Sequence, residues 1–317
     1  MYGAMIGDIV GSIYEFNNIK TKRFPLFSKR CAITDDTIIT VAVGRALLKS
    51  RQLRYEERMS GKQDSDGPSY QDILIEEMQA LGRQYPHPMG AYGASFSHWL
   101  RSDDPQPYNS YGNGAAMRVS PCALVAVTLD EALMLTRATT VVTHDHPEGV
   151  KGAEAVAAAV FLARTGRSKE EIGAYIREHY YPMRETLDEI RPTYRFDPSC
   201  QGTVPQAITA FLESESFEDA IRNCISIGGD SDTIGAITGS IAWAYYGRTR
   251  LGPDLPEDMA AILDEARGYI PADFCQTADE LKEFAAARMG SYDRIGIITA
   301  IVTPREQKMF LKEWKTT

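Results

Sequence analysis

Apolar residues recur at spacings of three and four over long windows of this chain, and strict alternation is scarce, so the pattern predicts helices almost throughout. From Thr34, "TDDTIITVAVGRALL" offers a threonine N-cap, two acids in the first turn and an apolar stripe through Ile38, Val41, Ala42 and Leu48. "GVKGAEAVAAAVFLARTG", residues 149–166, is rich in alanine and closes on a glycine, as a tightly packed internal helix would. "SFEDAIRNCISIGG" opens with Ser216 and Asp219 in S-x-x-D spacing and also closes on glycines. Two stretches break the pattern with Gly and Pro: residues 55–70 read as a surface loop between helices, and residues 181–206 as a long surface connection. "RIGIITAIVT", residues 294–303, is β-branched and bounded by turn residues, which predicts a short C-terminal strand. The expected fold class is all-α, a single domain over 1–317 with residues 285–317 as a C-terminal extension.

Composition narrows the class. The 317 residues, 44% hydrophobic, are enough to bury a substantial core. A net charge of −9 with no dense Lys/Arg run argues against a nucleic-acid backbone or an anionic membrane as main partner. Five scattered cysteines without a C-x-x-C pair suggest neither a disulfide framework nor a zinc site, which fits a reducing cytoplasm. Asp8 interrupts the only apolar run near the N-terminus, and no later run reaches the roughly 18 residues of a membrane span.

Acids gather at three places: Glu15 in "GDIVGSIYEF", Asp35 and Asp36 in "ITDDTI", and Asp230 and Asp232 in "GGDSDT". In the last, glycines turn the chain and the aspartates fall at a helix start, where the positive end of the dipole stabilises one carboxylate by roughly 0.3–1 kcal/mol. Two carboxylates about 4 Å apart repel by about 4 kcal/mol at an effective dielectric of 20. If the three places converge in the fold, cations are required there. Carboxylates joined by the hydroxyls of Thr34, Ser231 and Thr233, with no Cys or His beside them, select Mg²⁺ or Mn²⁺ over zinc. Adjacent residues of a helix point about 100° apart, so Asp35 and Asp36 could each face a different ion of a two-metal site. A single acidic place is equally explained as an ordinary N-cap.

Five ordered motifs, "GAMIGDIVGSIYEF", "ITDDTIITVAVGRALL", "YGNGAAMRVSPCAL", "VTHDHPEGVKGAEAVAAAVFLA" and "SIGGDSDTIGAITGSIAWAYYG", span residues 3 to 247 and resemble the ADP-ribosylglycohydrolase family, which includes the dinitrogenase-reductase-activating glycohydrolases. The resemblance implies a compact, mostly orthogonal helical bundle with two Mg²⁺ or Mn²⁺ at the base of a cleft. It places metal ligands at Thr34, Asp35, Asp36, Asp230, Asp232 and Thr233, and an acid beside the metals, tied to catalysis or gating, at Glu15. It also places Gly112, Asn113 and Gly114 against ADP-ribose, His144 close to the ligand, and Ser231 where a threonine is common. Backbone N–H groups of such a glycine loop can approach a diphosphate closely. The implied reaction is hydrolysis of the bond between C1 of ribose and an acceptor, with Glu15 or Asp36 taking a proton. The partner would be an ADP-ribosylated protein or small molecule, whose acceptor is an arginine, a serine, a nucleic-acid base or a metabolite.

Other readings make different demands. An HD-type phosphohydrolase would use His144 and Asp145 as ligands and needs another histidine, for which only His87 and His98 stand upstream. A DDxxD isoprenoid synthase fails because Thr37, Ile38 and Ile39 follow Asp36. A non-catalytic ADP-ribose-binding protein on the same scaffold would not need to retain every ligand type. Tyr108 and Tyr111 flank the glycine loop as candidates for stacking on adenine, whereas Tyr92, Phe96 and Trp99 have the spacing of a packed helix face.

Overall fold

Fourteen α-helices and one 3-10 turn run through the described residues of the computed structural model, which are 1–61, 67–247, 255–290, 301–303 and 305–306; there is no sheet among them, as the periodicity predicts. Short polar side chains start most of the helices. After α1 (Tyr2–Gly11), Thr34 caps α2 (Asp35–Met59) and Ser69 caps α3 (Tyr70–Gln84). The short α4 (Ala94–Trp99), the 3-10 turn (Asn113–Ala115) and α5 (Ser120–Val125) follow. Thr128, His146, Ser168, Thr186, Ser199 and Ser216 then cap α6 (Leu129–Thr140), α7 (Pro147–Arg164), α8 (Lys169–His179), α9 (Leu187–Ile190), α10 (Cys200–Leu212) and α11 (Phe217–Ser226). The chain continues through α12 (Ser231–Tyr246), α13 (Glu257–Ala266) and α14 (Ala272–Gly290).

The axis of the bundle is α12, buried at every position from Ser231 to Ala242 and packed against α1, α7, α10 and α11. A helix apolar on all sides belongs inside. Its closest neighbour is α1, antiparallel to it, and the approach depends on glycine. A Cβ added to Gly7 would lie 1.9 Å from the carbonyl oxygen of Gly235, one on Gly3 2.2 Å from that of Gly239, and one on Gly11 2.3 Å from that of Ser231. Gly3, Gly7 and Gly11 recur every four residues and so share one face of α1. Because the pair is antiparallel, the C-terminal end of α1 comes to lie beside the N-terminal end of α12.

Alanine does similar work in α7, where residues 152–160 are all buried. The helix ends before Gly166, which takes a φ of +92°, as its closing glycine predicts. The segment expected to be a loop over 55–70 is narrower at its start, since α2 continues to Met59. The connection over 181–206 is mostly irregular, but α9 interrupts it and α10 begins at Cys200. Most of the expected strand over 294–303 lies outside the described residues. Its described end includes buried Ile301 and Val302, and shortly after it Glu306 accepts a hydrogen bond from the Tyr70 backbone, N···O 2.8 Å, so this stretch packs on the start of α3.

Candidate metal centre

Three chain segments bring their acids together: the end of α1 with the turn after it, the start of α2, and the start of α12. Asp8, fully buried, is a cap supplied from another helix. One oxygen accepts from the backbone N–H of Thr34 and of Thr37, each at 3.0 Å, and the other from Thr34 Oγ1 at 2.7 Å. These bonds satisfy buried N–H groups that have no acceptor within the helix at the positive end of α2. Asp36 Oδ2 accepts from Thr233 Oγ1 at 3.1 Å and so joins α2 to α12. Thr34 Oγ1, besides donating to Asp8, accepts from the Asp36 N–H at 3.2 Å.

Two groups of carboxylates result. Asp8, Asp36 and Asp232 each offer an oxygen within 4.8 Å of the others, and so do Glu15, Asp230 and Asp232. Asp232 is common to both. At 4.8 Å and an effective dielectric of 20, each ionised pair repels by about 3.5 kcal/mol. Burial, first, and neighbouring charge push these acids upward: Asp8 to about 6, with the bonds from Thr34 and Thr37 opposing, and Glu15 to about 7, with Asp230 and Asp8 adding to burial. Asp36 and Asp232 are driven well above the usual carboxylate range by burial and then by the acids beside them. Asp230 is also raised by burial, against hydrogen bonds to Asp232, Asn113 and Thr233.

A divalent cation fits this donor set. Asp36 Oδ1, Asp232 Oδ1 and Glu15 Oε2 are buried and make no hydrogen bond among the described residues, a costly condition for a carboxylate oxygen unless a cation meets it. All the donors are hard oxygens, which suit Mg²⁺, Mn²⁺ or Ca²⁺ and not a thiolate-preferring ion. Asp35, half-buried and also raised, stands in neither group. The acid that sequence reasoning missed is Asp8, read there only as a break in an apolar run. The available signal was an acid between two glycines of one spaced series, Gly3, Gly7 and Gly11, on a helix with no other charge.

Clamps hold this geometry. Gly228 and Gly229 take φ of +69° and +80° to turn the chain into α12. Asn18 grips that turn: its Oδ1 accepts from the Gly229 N–H at 2.8 Å, and its Nδ2 donates to Gly229 O at 2.9 Å and to the carbonyls of Tyr14 and Glu15. Lys20 donates to the carbonyls of Ile227 and Tyr194. On the other side Gly90, at φ +80°, lies over Glu15, where an added Cβ would come within 2.8 Å of Oε2.

The glycine loop sits beside the acids and is tied to them. Asn113 Nδ2 donates to Asp230 Oδ2 at 2.7 Å and to Thr203 Oγ1 at 3.0 Å, and its backbone N–H donates to Pro198 O at 2.7 Å. The amide of Asn113 is therefore engaged with the acid cluster. Gly112 and Gly114 leave room above His144: a Cβ on either would stand 3.5 or 3.4 Å from its Nε2. His144 is nearly buried and packs against Tyr108, ring centroids 5.8 Å apart. Ser231 is wholly buried at the start of α12, its hydroxyl 3.4 Å from Gly229 O, and belongs to neither carboxylate group. Tyr111 is half-exposed at the loop, while Phe96 and Trp99 stack with each other, buried, as their spacing suggests. No histidine joins either carboxylate group among the described residues, and Asp145 accepts from the Asn109 N–H, so the HD-type alternative lacks its ligand pair.

Comparison with known proteins places the chain in a family. A family model described as ADP-ribosylglycohydrolase matches residues 1–292. ADP-ribosylhydrolase ARH3 of Xenopus tropicalis is 24% identical over 313 residues, covering 79% of this chain and 87% of that protein. The ADP-ribosyl-[dinitrogen reductase] glycohydrolase of Rhodospirillum rubrum is 24% identical over 285 residues, covering 83% and 88%. ADP-ribosylarginine hydrolase Tri1 of Serratia proteamaculans is 24% identical over 281 residues, covering 79% and 71%. A solved structure described as an ADP-ribosylglycohydrolase-related protein complex shares the fold, with a TM-score of 0.59 and 22% identity over 91% of this chain and 95% of that one. Among the described residues no helix is long and apolar enough to cross a membrane. With a family match over nearly its whole length and the fold of a solved relative, the chain belongs to the ADP-ribosylglycohydrolase family.

Proposed function

We propose that this protein hydrolyses the bond between C1 of the ribose of ADP-ribose and an acceptor, at a centre built for two Mg²⁺ or Mn²⁺ ions. The observation that carries the reading is the pair of carboxylate groups sharing Asp232, with three buried oxygens left without a partner. Asp8, Asp36 and Asp232 would hold one ion and Glu15, Asp230 and Asp232 the other, with Thr34, Thr233 and Asp35 at their edges. Bound there, the ions would orient ribose hydroxyls and polarise water.

The chain's own groups account for the rest. Glu15, half-buried at the edge of the acid centre, is the first candidate for the group that takes a proton in the hydrolysis. Asp36, facing both Thr233 and the acid cluster, is the second candidate for that role. Residues 112–114, beside the acids through the bond from Asn113 to Asp230, suit an anionic diphosphate. The substrates would be ADP-ribosylated proteins or small molecules. The relatives' names point to arginine among the acceptors, which can leave as a neutral guanidine, whereas a serine acceptor would need a proton delivered to its oxygen as the bond breaks.

The test is release of free ADP-ribose from ADP-ribosylated arginine, serine and small-molecule substrates with Mg²⁺ or Mn²⁺. Chelation should abolish release, and Asp232→Ala should lower it by about 10³-fold or more, since it empties both groups. Release that persists in a chelator would overturn the metal-dependent reading.

A further inference from the structure

Behind the glycine loop lies a second buried charge, of opposite sign. Arg118 is only 1% exposed, and among the described residues no carboxylate pairs with it. Its Nη2 donates to Thr143 Oγ1 at 2.7 Å and to the carbonyls of Thr139 and Thr140 at 3.3 and 3.5 Å, while its Nε has no partner. Burial lowers the guanidinium to about 10, so it keeps its charge at neutral pH. Thr143 Oγ1 is in turn 2.7 Å from His144 Nδ1.

Donor counting decides which way these bonds run. Arginine only donates, so Thr143 Oγ1 must accept from it. The threonine hydroxyl carries one proton, and among the described residues the one acceptor left within reach is His144 Nδ1. If Nδ1 carried a proton instead, both neighbours would donate into the hydroxyl oxygen and the hydroxyl proton would be buried without an acceptor. Burial and the charge of Arg118 also hold the imidazole pKa well below its usual value, so the ring carries a single proton. That proton is then on Nε2, the atom facing the space left open by Gly112 and Gly114.

We propose that Arg118 and Thr143 are positioning residues that fix His144 with its proton on Nε2, presenting an N–H donor to an anionic oxygen bound across residues 112–114. The identity of that oxygen rests on the reading above, under which it belongs to the diphosphate of ADP-ribose. The uncompensated guanidinium behind the ring favours the same anion, as a buried cation without a counter-ion would.

Long-range ¹H–¹⁵N correlation of the labelled, ligand-free protein reads the tautomer directly, and calorimetry with ADP-ribose reads its consequence. Wild type should show His144 protonated at Nε2 and bare at Nδ1. Thr143→Val should mix the two tautomers and weaken ADP-ribose about tenfold, whereas Thr143→Ser, which keeps the hydroxyl, should restore both; thermal melts confirm that each variant folds. An Nδ1-protonated ring in wild type, or a Thr143→Val protein with unchanged tautomer and affinity, would overturn the proposal. Wild type that shows the Nε2–H ring and yet binds no ADP-ribose would leave the relay standing and sink the functional reading instead.

Discussion

The acid centre and the pocket behind the glycine loop are neighbours with opposite imbalances. In the first, Asp8, Glu15, Asp36, Asp230 and Asp232 converge and three of their oxygens are buried without partners. In the second, Arg118 is buried without a carboxylate among the described residues. Asn113 stands between the two, its backbone in the loop and its amide on Asp230. Neither region is satisfied by its own protein, and neither neutralises the other. Under the proposed function, each would be complementary to one part of the bound state: cations for the acids, the diphosphate for the pocket.

The comparison breaks most severely if the acids are no longer assembled. Gly7→Ala would drive a methyl group to 1.9 Å from the carbonyl of Gly235, a backbone clash that no rotamer relieves. The expected cost is about 4 kcal/mol or more, read as a large drop in Tm together with lost metal binding. Gly93→Ala, where an added Cβ meets nothing within 4 Å, should change stability by less than about 0.5 kcal/mol. Equal effects at both positions would disprove the close α1–α12 approach.

A smaller effect sharpens the sign of the acid side. Asp8 and Glu15 are raised in the folded protein to about 6 and about 7, from ordinary values near 4. A raised carboxylate binds more protons folded than unfolded, so its contribution favours folding below about pH 4 and turns against it as pH rises through the folded value. Metal-free protein should therefore lose stability between about pH 4 and 7, with Asp8 alone accounting for about 3 kcal/mol at the upper end. Melts in chelator across that range, repeated with Mn²⁺, measure it. Saturating Mn²⁺ should remove the decline, and a metal-free Tm that climbs toward pH 7 would contradict the crowding of these acids.

The mildest perturbation separates the two regions while leaving both in place. Asn113→Ala deletes a bond to a buried carboxylate worth about 1.5–3 kcal/mol. Metal affinity and ADP-ribose affinity, each measured with and without the other ligand, should lose most of their mutual dependence, a few-fold effect. Undiminished coupling would mean that the two sites communicate by another route.

Much of this was legible in the chain. Thr34 and Ser216 announce helix starts through short-range bonds that depend on only three or four residues, and they cap α2 and α11 as read. Glu15, Asp36, Asp230 and Asp232 stand out because acids beside glycine turns are unusual locally. Asp8 did not, because its meaning lies in the N–H groups of a helix that begins 27 residues later. Asn113 was read toward the substrate, and its side chain turns to Asp230, because an amide's direction is chosen by partners distant in the chain. Ser231 kept its hydroxyl but lies buried against its own turn. Arg118 carries no local signal, being a single cation in a mostly apolar stretch, and Thr143 is one of three threonines within five residues that nothing local tells apart.

By itself the sequence determined the all-α class, the starts of α2 and α11, the hard-oxygen character of the acidic stations and the family, since these depend on periodicity, on caps and on ordered motifs. Tertiary structure alone decided which acids meet, that Asp8 is among them with Asp35 at their edge, and that a buried cation lies behind the loop. The physical reason is the approach of α1 to α12: glycine permits backbone contact at either partner, but only the folded register of Gly7 on Gly235 sets the end of one helix against the start of the other.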